Sequence, residues 1–182
     1  MFNYVGDISE LSHHIIRNFC MNKNYAVDAT LGNGYDTVFL YSLFKKITAF
    51  DIQQEAIESF KSNYGNNDTV DLICDSHSNI DKYIKEKADC IMYNLGYWPG
   101  GNKDITTMAY STLESLKKAL ILLNSGGIIS IAMYVGHNEG EKEEAFIMDF
   151  VENLPKNIYG VMLHKYLNRS KISPRLIIIE KK

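Results

Sequence analysis

The stretch that decides the fold is DATLGNGYDT, residues 28–37. It follows a short apolar run and precedes a predicted helix. Its two glycines, Gly32 and Gly34, allow the backbone to turn tightly and to approach a ligand closely. A strand, a glycine turn and a helix in this order are typical of the first βα unit of a doubly wound α/β fold. Thr37 stands where the dinucleotide fingerprint G-x-G-x-x-G has its third glycine, which disfavours a nicotinamide dehydrogenase.

Outward from this turn, apolar periodicity predicts strands that alternate with helices. The predicted strands cover residues 25–29, 47–50, 70–74, 88–93, 127–135, 158–167 and 175–180. The predicted helices cover residues 8–20, the segment from the glycine turn to about 44, 53–64, 79–87, 104–123 and 139–154. Ser125, Gly126 and Gly127 are expected to end the helix at 104–123.

This order predicts an α/β fold with a doubly wound, mostly parallel, seven-stranded sheet and helices on both faces. No helix separates the last two strands, so they are expected to form an antiparallel hairpin at one edge. In such a fold ligands bind outside the carboxyl ends of the strands. Each candidate site residue discussed below follows or ends a predicted strand.

Length and composition agree with one domain spanning residues 1–182. Hydrophobic residues make up 46% and charged residues 23%, and no apolar run approaches the ~18 residues that a membrane span needs. The first 19 residues lack a secretory pattern, so a cytoplasmic location is expected. Cys20, Cys74 and Cys90 lack metal-ligand spacing, and no metal site is predicted.

The net charge of −3 argues against indiscriminate binding of nucleic acid. Basic residues nevertheless concentrate in the C-terminal stretch, which contains Arg169 and Arg175, whereas acidic residues concentrate at 139–144. This asymmetry is compatible with a contact to RNA. A solvated surface of ordinary charge is an equally good interpretation of the charges alone.

Carboxylates at two strand ends indicate an adenosine cofactor with a positive charge. Asp28 precedes the glycine turn, where a carboxylate suits the aminoacyl end of S-adenosylmethionine. Asp51 ends the second predicted strand and can accept hydrogen bonds from both ribose hydroxyls. Ile52 and Gln53 stand beside it as an apolar wall and a polar neighbour. A plain βα turn and an NAD site are the alternatives for these residues taken singly.

The third predicted strand is followed by Asp75, Ser76 and His77, where the amino group of an adenine ring can be bound. This position fits the same cofactor because it is the next strand end along the chain. His77 on its own is equally typical of an ordinary surface residue.

The segment NLGYWPGGNK, residues 94–103, follows the fourth predicted strand and carries the most specific chemistry. Asn94, with Tyr97 three positions later, is similar to the N-P-P-Y loop of amino-group methyltransferases. There an amide carbonyl accepts a hydrogen bond from the substrate amine and aims its lone pair at the methyl group, and an aromatic ring stacks on a base. A Gly/Pro-rich connecting loop with a packed Trp98 is the alternative.

An alkyl amine has a pKa of about 10, so such a site must bind the neutral amine or remove its proton. Desolvation against Tyr97 and Trp98 favours the neutral form. Tyr134 and His137 follow the fifth predicted strand and are candidates for completing the substrate side or relaying the proton to water. For these two residues a structural role is a comparably good interpretation.

In these runs the chain resembles the bacterial tRNA 5-(aminomethyl)-2-thiouridine methyltransferases, a family called MnmM whose members are also known as rRNA methylases. The matching runs, in order, are DATLGNGYDT, AFDIQ, SH at 76–77, NLGY-x-PGG and GHNEG. The resemblance implies a class I methyltransferase sheet with S-adenosylmethionine as cofactor and S-adenosylhomocysteine as its product. It implies N-methylation of the 5-aminomethyl group at the wobble position of a tRNA anticodon stem-loop.

The residues and the resemblance together predict three sets of site residues. The expected catalytic residues are Asn94, Tyr97, Tyr134 and His137. The residues expected to bind the cofactor are Asp28, Thr30, Gly32, Asn33, Gly34, Asp36, Thr37, Asp51, Ile52, Gln53, Asp75, Ser76, His77, Asn94 and Gly96. The residues expected to bind the RNA substrate are Tyr97, Trp98, Lys103, Arg169 and Arg175.

The chain departs from the family pattern at Trp98, Asn102, Val135 and Ser173, where Leu, Asp, Pro and Pro are usual. These departures leave the cofactor site intact and bear on the RNA contacts. The resemblance, with the apolar run at 176–179, also predicts a homodimer that places the last two strands near the interface. A methyltransferase acting on rRNA or a small amine, and a non-catalytic adenosine-binding module, are the alternatives.

Overall fold

Helices and strands alternate along most of the chain in the computed structural model, which describes residues 2, 4–98, 106–136 and 138–182. Over those residues the helices are α1 (Ile8–Phe19), α2 (Tyr35–Tyr41), α3 (Gln54–Tyr64), α4 (Ile80–Tyr83), α5 (Ala109–Leu122) and α6 (Asn138–Glu152). The strands are β1 (Tyr25–Asp28), β2 (Lys46–Asp51), β3 (Val70–Cys74), β4 (Ala88–Leu95), β5 (Leu123–Met133), β6 (Tyr159–Lys165) and β7 (Arg175–Lys181). A 3₁₀ turn, His77–Asn79, leads into α4.

Among the described residues the strands form one seven-stranded sheet in the order β3-β2-β1-β4-β5-β7-β6. The first five strands pair in parallel, and β7 lies antiparallel between β5 and β6. The strand order reverses between β1 and β4, which places a topological switch point there. The predicted doubly wound, mostly parallel sheet and its antiparallel hairpin are confirmed.

Both faces of the sheet are covered by helices because successive strand residues point to opposite sides. Ile16 of α1 and Leu40 of α2 pack into the core on one face. Leu116 of α5 and Ile147 of α6 pack into the core on the other face. Across the described ranges, the helices fall short of the length and apolar character that a membrane crossing demands.

Helix α1 is fixed to the sheet at its start and along its buried face. The side chain of Asp7 caps the helix by accepting hydrogen bonds from the backbone amides of Ser9 (2.7 Å) and Glu10 (3.3 Å). Farther along, the hydroxyls of Ser12 and Ser130 lie 2.6 Å apart, which joins α1 to β5. These contacts fix α1 against β5.

The predicted boundary between α5 and β5 is wrong. Ser125, Gly126 and Gly127 lie within β5, and α5 ends at Leu122. A Cβ on Gly127 would lie 2.9 Å from the carbonyl oxygen of Asn124, and Gly126 has a φ of 75°. The glycines thus serve a close backbone approach at the start of a strand instead of a helix end.

Two further predictions differ from the structure. The helix predicted at 79–87 is shorter, because Ile84 already has an extended backbone (φ −85°, ψ 109°). The apolar run at 176–179 is not an edge run, because β7 lies between β5 and β6 and these residues are buried in the core. The edge strand on this side of the sheet is β6.

Candidate active site

Polar residues end or follow several strands at the carboxyl-terminal end of the sheet. Asp28 and Asp51 are the last residues of β1 and β2, and Asn94 is the last but one of β4. Asp75 directly follows β3, and Tyr134 directly follows β5. Because these strands are parallel neighbours, their carboxyl ends lie at the same end of the sheet. This is the end at which a doubly wound sheet binds its ligands.

Asp28 has a fully buried carboxylate at this end of the sheet. It accepts hydrogen bonds from the backbone amide of Thr30 (3.0 Å) and the hydroxyl of Thr37 (2.6 Å). Burial, and after it the negative charge of Asp36, raise the pKa of Asp28 to about 7, against the lowering effect of these hydrogen bonds. A cation bound here would relieve the repulsion and favour the ionised carboxylate.

Asp51 ties the glycine turn to the end of β2. Its Oδ2 accepts a hydrogen bond from the backbone amide of Gly32 (2.9 Å), and its Oδ1 accepts one from that of Gln53 (2.9 Å). Burial raises the pKa of Asp51, and the backbone hydrogen bonds lower it. Ile52 beside it is 53% exposed. The strand end therefore presents an acid next to an apolar wall, an arrangement that suits a ribose and its base.

Gly34 is required by the packing of the turn. It has a φ of 80°, and a Cβ there would lie only 2.2 Å from Cδ2 of Phe60 in α3. Gly32 is also in the left-handed region (φ 48°), and a Cβ there would lie 3.7 Å from Cδ1 of Trp98. The indole Nε1 of Trp98 donates a hydrogen bond to Oδ1 of Asn33 (2.8 Å). Trp98, predicted to bind RNA, thus lies against the glycine turn.

The residues after β3, Asp75 to His77, form contacts within the chain, except for one ring nitrogen of His77. Asp75 accepts hydrogen bonds from the backbone amide of Ser76, the side-chain amide of Asn79 and the hydroxyl of Tyr83. His77 is buried, and its Nδ1 has no hydrogen-bond partner among the described residues. Burial lowers the pKa of His77 to about 4, so the ring is neutral at pH 7. His77 is therefore a buried, neutral residue whose Nδ1 has no hydrogen-bond partner among the described residues.

Asn94 is held by its backbone and by its side chain. Its backbone amide donates to Oγ1 of Thr30 (2.7 Å), which ties the end of β4 to the end of β1. Its side-chain nitrogen donates to Oδ2 of Asp36 (3.4 Å), and Oδ1 of Asp36 lies 2.6 Å from Nε2 of His13 in α1. Sequence reasoning missed His13. The pair His13 and His14 was the only signal, and it does not tell which histidine faces Asp36.

A buried acid of α6 holds the base of the loop that follows Asn94. Gly96 and Thr107 exchange hydrogen bonds: the amide of Gly96 donates to Oγ1 of Thr107 (2.9 Å), and the amide of Thr107 donates to the carbonyl of Gly96 (3.0 Å). Oγ1 of Thr107 in turn donates to Oε2 of Glu143 (2.9 Å), and Thr112 donates to Oε1 of the same carboxylate. Glu143 is 2% exposed. The sequence had placed Glu143 in the acidic segment at 139–144, without a role in the site.

Two tyrosines flank the same end of the sheet. Tyr97 is 43% exposed and forms an antiparallel bridge with Thr106. Tyr134 lies next to Gly96, where an added Cβ would be 4.0 Å from the Cβ of Tyr134. Burial raises the pKa of Tyr134, and a hydrogen bond with Ser9 lowers it. The net rise keeps the phenol protonated at neutral pH, so Tyr134 is a hydrogen-bonding group and not a base.

The remaining predicted residues are divided between several places. His137 and Lys103 lie outside the described residues. Arg175 forms an ion pair with Glu144 of α6 and donates to the carbonyl of Lys171. This pairing leaves the guanidinium of Arg175 engaged within the chain.

Arg169 lies on the segment between β6 and β7 and contacts the start of the chain. Its Nη2 donates to the carbonyl of Val5 (2.8 Å), and its guanidinium lies 3.8 Å from the ring centroid of Tyr166. The hydroxyl of Tyr166 donates to the carbonyl of Gly6 (2.6 Å). The segment that precedes α1 is thereby attached to the segment that precedes β7.

The fold and the site together define a class of enzyme. A buried acid with a raised pKa at the end of β1 suits a cationic ligand, and the acid at the end of β2 suits a ribose. Between them, the glycine turn gives a ligand access to the backbone. On a doubly wound sheet with an antiparallel seventh strand, these features are those of a class I S-adenosylmethionine-dependent methyltransferase.

The chain belongs to the family described as "Putative rRNA methylase", whose family model matches residues 47–180. It is 32% identical over 190 residues to the chloroplastic tRNA (mnm(5)s(2)U34)-methyltransferase of Arabidopsis thaliana, a match that covers 96% of this chain and 69% of that protein. The predicted family is confirmed.

Two crystal structures are similar to the chain over nearly its whole length. A "putative rRNA-methylase" from Clostridium thermocellum has a TM-score of 0.92 and 35% identity, covering 98% of this chain and 99% of that one. A "putative methyltransferase" from Streptococcus mutans in complex with SAH has a TM-score of 0.89 and 36% identity, with the same coverage. The predicted class I fold, the methyltransferase activity and the S-adenosylmethionine cofactor are confirmed.

Proposed function

We propose that this enzyme methylates the primary amine of 5-aminomethyl-2-thiouridine at the wobble position of tRNA, giving 5-methylaminomethyl-2-thiouridine. The observation that carries the proposal is the amide of Asn94 near the end of β4, whose nitrogen donates to Asp36 and whose oxygen is an acceptor suited to an amine. The name of the Arabidopsis thaliana relative supports the choice of substrate.

The strand ends fit S-adenosylmethionine part by part. Asp28 suits the positively charged aminoacyl end, because its carboxylate is buried beside other acids. Asp51 suits the ribose hydroxyls, and the exposed side chain of Ile52 beside it suits the face of the adenine ring. When bound, S-adenosylmethionine supplies an electrophilic methyl group on its sulfonium. The residues of the chain bind the cofactor and align the acceptor with it.

The acceptor side is built for a neutral amine. A protonated amine has no lone pair to attack with, and its pKa in water is about 10. The uncharged oxygen of Asn94 can hold an amine without stabilising its protonated form, as a carboxylate would. Tyr97, which is 43% exposed, adds aromatic surface that displaces water and favours the neutral amine. Holding the amine in line with the methyl group supplies most of the rate enhancement.

RNA binding is assigned to the surface that runs from Tyr97 to Arg169. Tyr97 directly follows Gly96, which lies next to Tyr134. Tyr166 is close enough to Tyr134 to raise its pKa. Arg169 stacks on Tyr166 at the far end. Exposed aromatic rings and a guanidinium are the groups that bind unpaired bases and phosphates of a stem-loop. Lys103 and His137 remain predictions for the same surface.

The test is methylation of an anticodon stem-loop that carries 5-aminomethyl-2-thiouridine. Purified enzyme with S-adenosylmethionine should add one methyl group to that nucleoside, as seen by mass spectrometry of the digested RNA. A stem-loop with unmodified uridine is the matched control and should stay unchanged. Methylation of ribosomal RNA or of a free small amine, with none of the stem-loop, would replace the proposed substrate and leave the enzyme class standing.

We also propose that the enzyme is a homodimer that associates through the side of the sheet bearing the last two strands. β6 is the edge strand, and Met162 (65% exposed) and Leu163 (37% exposed) are apolar residues on its surface. An edge strand offers unpaired backbone groups to a strand of a second chain, and exposed apolar residues on it favour such an association. Light scattering at micromolar concentration should give twice the chain mass, and Met162→Lys should give the chain mass. A wild-type monomer would refute the proposal.

A further inference from the structure

The orientation of the Asn94 amide is decided by its neighbour. An ionised carboxylate can only accept hydrogen bonds, so the amide atom that lies 3.4 Å from Oδ2 of Asp36 is the nitrogen. The amide oxygen then remains for another donor. An Asn94 side chain without this partner could turn its amide by half a rotation and present a nitrogen, a donor, to the substrate amine.

Asp36 is itself held in place by a residue from another helix. It is buried, and its Oδ1 lies 2.6 Å from Nε2 of His13. In this contact Nε2 of His13 is placed to donate to the carboxylate oxygen of Asp36. The His13 ring stacks on Phe39 of α2, with centroids 3.8 Å apart and planes within 3° of parallel. α1 carries His13 one position after Ser12, whose hydroxyl contacts Ser130 of β5.

We infer that His13 is a positioning residue for amine methylation: through Asp36 it fixes the Asn94 amide so that the oxygen faces the methyl acceptor. The inference rests on the proposed function, because it assigns Asn94 to the acceptor amine. It deepens that function by extending the site to α1, a helix that precedes every strand of the sheet. His13 needs no contact with either ligand to act in this way.

Two substitutions separate this role from simple packing. His13→Phe keeps an aromatic ring to stack on Phe39 and removes the hydrogen bond to Asp36. His13→Gln removes the ring and keeps a side-chain N–H that can reach a carboxylate. His14→Gln is the matched control, because His14 is the exposed neighbour on the same helix. The positioning role predicts that Phe is the damaging replacement and Gln the tolerated one, and a packing role predicts the reverse order.

The measurements are kcat and KM on the aminomethyl stem-loop, the Kd for S-adenosylmethionine, and the melting temperature of each variant. His13→Phe should lower kcat ~30-fold and His13→Gln ~3-fold, with the cofactor Kd changed less than ~3-fold in both, as expected for an interaction used in the transition state. His14→Gln should match the wild type. Full activity of His13→Phe, or a smaller loss in His13→Phe than in His13→Gln, would overturn the inference.

A second readout keeps this result separate from the question of substrate. The side-chain amide protons of Asn94, assigned by their absence in Asn94→Ala, should show a hydrogen-bonded NMR signal in the wild type and in His13→Gln. The signal should exchange faster with solvent in His13→Phe and in Asp36→Asn. An unchanged Asn94 signal in His13→Phe would overturn the inference even if the stem-loop were never methylated, an outcome that refutes only the proposed substrate.

Discussion

The cofactor half and the acceptor half of the active site are built in different ways. Around Asp28 and Asp51, the side-chain hydrogen bonds join residues 2 to 19 positions apart in the chain. Around Asn94, the side-chain hydrogen bonds that hold the acceptor residues join positions 11 to 64 apart, and all but one of them span at least 23 positions. The first half is a local motif on adjoining βα turns. The second half is assembled by α1, α2 and α6 from separate parts of the chain.

This difference has a functional consequence. A substitution in the local half should change the binding of one ligand and leave the other half in place. A substitution in the assembled half should act through partners, so its effect falls on the orientation of the acceptor and not on cofactor affinity. Substitutions in one half therefore test whether the other half is independent of it.

The largest expected effect is on folding, at the glycine turn of the local half. Gly34→Ala should lower the free energy of unfolding by about 3–5 kcal/mol, because it combines left-handed backbone strain with overlap between the new Cβ and Phe60. Urea denaturation measures the loss. Gly126→Ala is the matched control: it also has a positive φ, with no described atom within 4 Å of its Cβ. It should cost about 1–2 kcal/mol. Equal losses would show that the Phe60 ring moves aside.

The second prediction compares one residue from each half. Asn94→Ala should lower kcat on the aminomethyl stem-loop ~100-fold, the worth of one positioning hydrogen bond in the transition state, and leave the cofactor Kd within ~2-fold. Asp51→Ala should instead raise the cofactor Kd strongly, because two ribose hydroxyls lose a charged acceptor. Calorimetry and single-turnover kinetics measure the two effects. A large rise in cofactor Kd for Asn94→Ala would show that the two halves are not independent.

The third prediction concerns pH and Asp28. Its pKa of about 7 means that the carboxylate is protonated in more acidic solution and then attracts a cation less. Affinity for S-adenosylmethionine should therefore fall about 10-fold from pH 8 to pH 6 as the ionised fraction falls. Calorimetry across this range tests it. Asp36→Asn should move the midpoint to lower pH, because the second cause of the raised pKa is removed, although burial keeps part of the shift.

The same group affects the stability of the ligand-free protein. The folded-state pKa of Asp28 lies above its ordinary value of 3.8, so the folded state binds this proton more tightly than the unfolded chain. The contribution of Asp28 to the free energy of unfolding is complete below pH 3.8. It is lost as the pH rises from there through about 7. Asp28→Asn should flatten this part of the stability profile, as measured by urea denaturation at several pH values. An unchanged slope would mean that Asp28 is ionised in the folded state throughout.

The smallest expected effect is at the base of the acceptor loop. Glu143→Gln replaces one carboxylate oxygen by an NH2 donor and removes the charge, so both threonine contacts are weakened and the loop is loosened without being released. The KM for the stem-loop should rise about 3–5-fold, as a partly lost hydrogen bond implies, with little change in cofactor Kd. Glu141→Gln, an exposed position on the same helix, is the control and should behave as the wild type. Equal KM values for both variants would show that Thr107 holds the loop by itself.

The parts of the fold that the sequence predicts well are those with a local physical cause. The strands β1 to β4 follow from short apolar runs, and the acids that end β1 and β2 follow from their place before a turn. The boundary at Gly126 and Gly127 could not be predicted in the same way. A glycine pair after a helix is typical of a helix end, and only the neighbouring backbone in the sheet shows that it begins a strand.

The residues that prediction missed or assigned differently have distant partners. His13 contacts Asp36 only because α1 crosses the sheet beside α2. Glu143 was grouped with the acidic residues at 139–144, and its burial depends on how α6 packs against the start of α5. Arg175, expected to bind RNA, is paired with Glu144 once β7 lies next to β5. None of these contacts leaves a spacing or periodicity in the sequence.

The sequence by itself determined the alternating βα order, the glycine turn, the two strand-end acids and hence the cofactor. It could do so because hydrogen bonds and backbone conformations over a few residues depend on the residues present there. Only the tertiary structure decided how Asn94 is oriented, which histidine stands behind it, and what holds the acceptor loop. Those contacts join residues far apart in the chain, and they form only when the packing of helices on both faces of the sheet brings their side chains together.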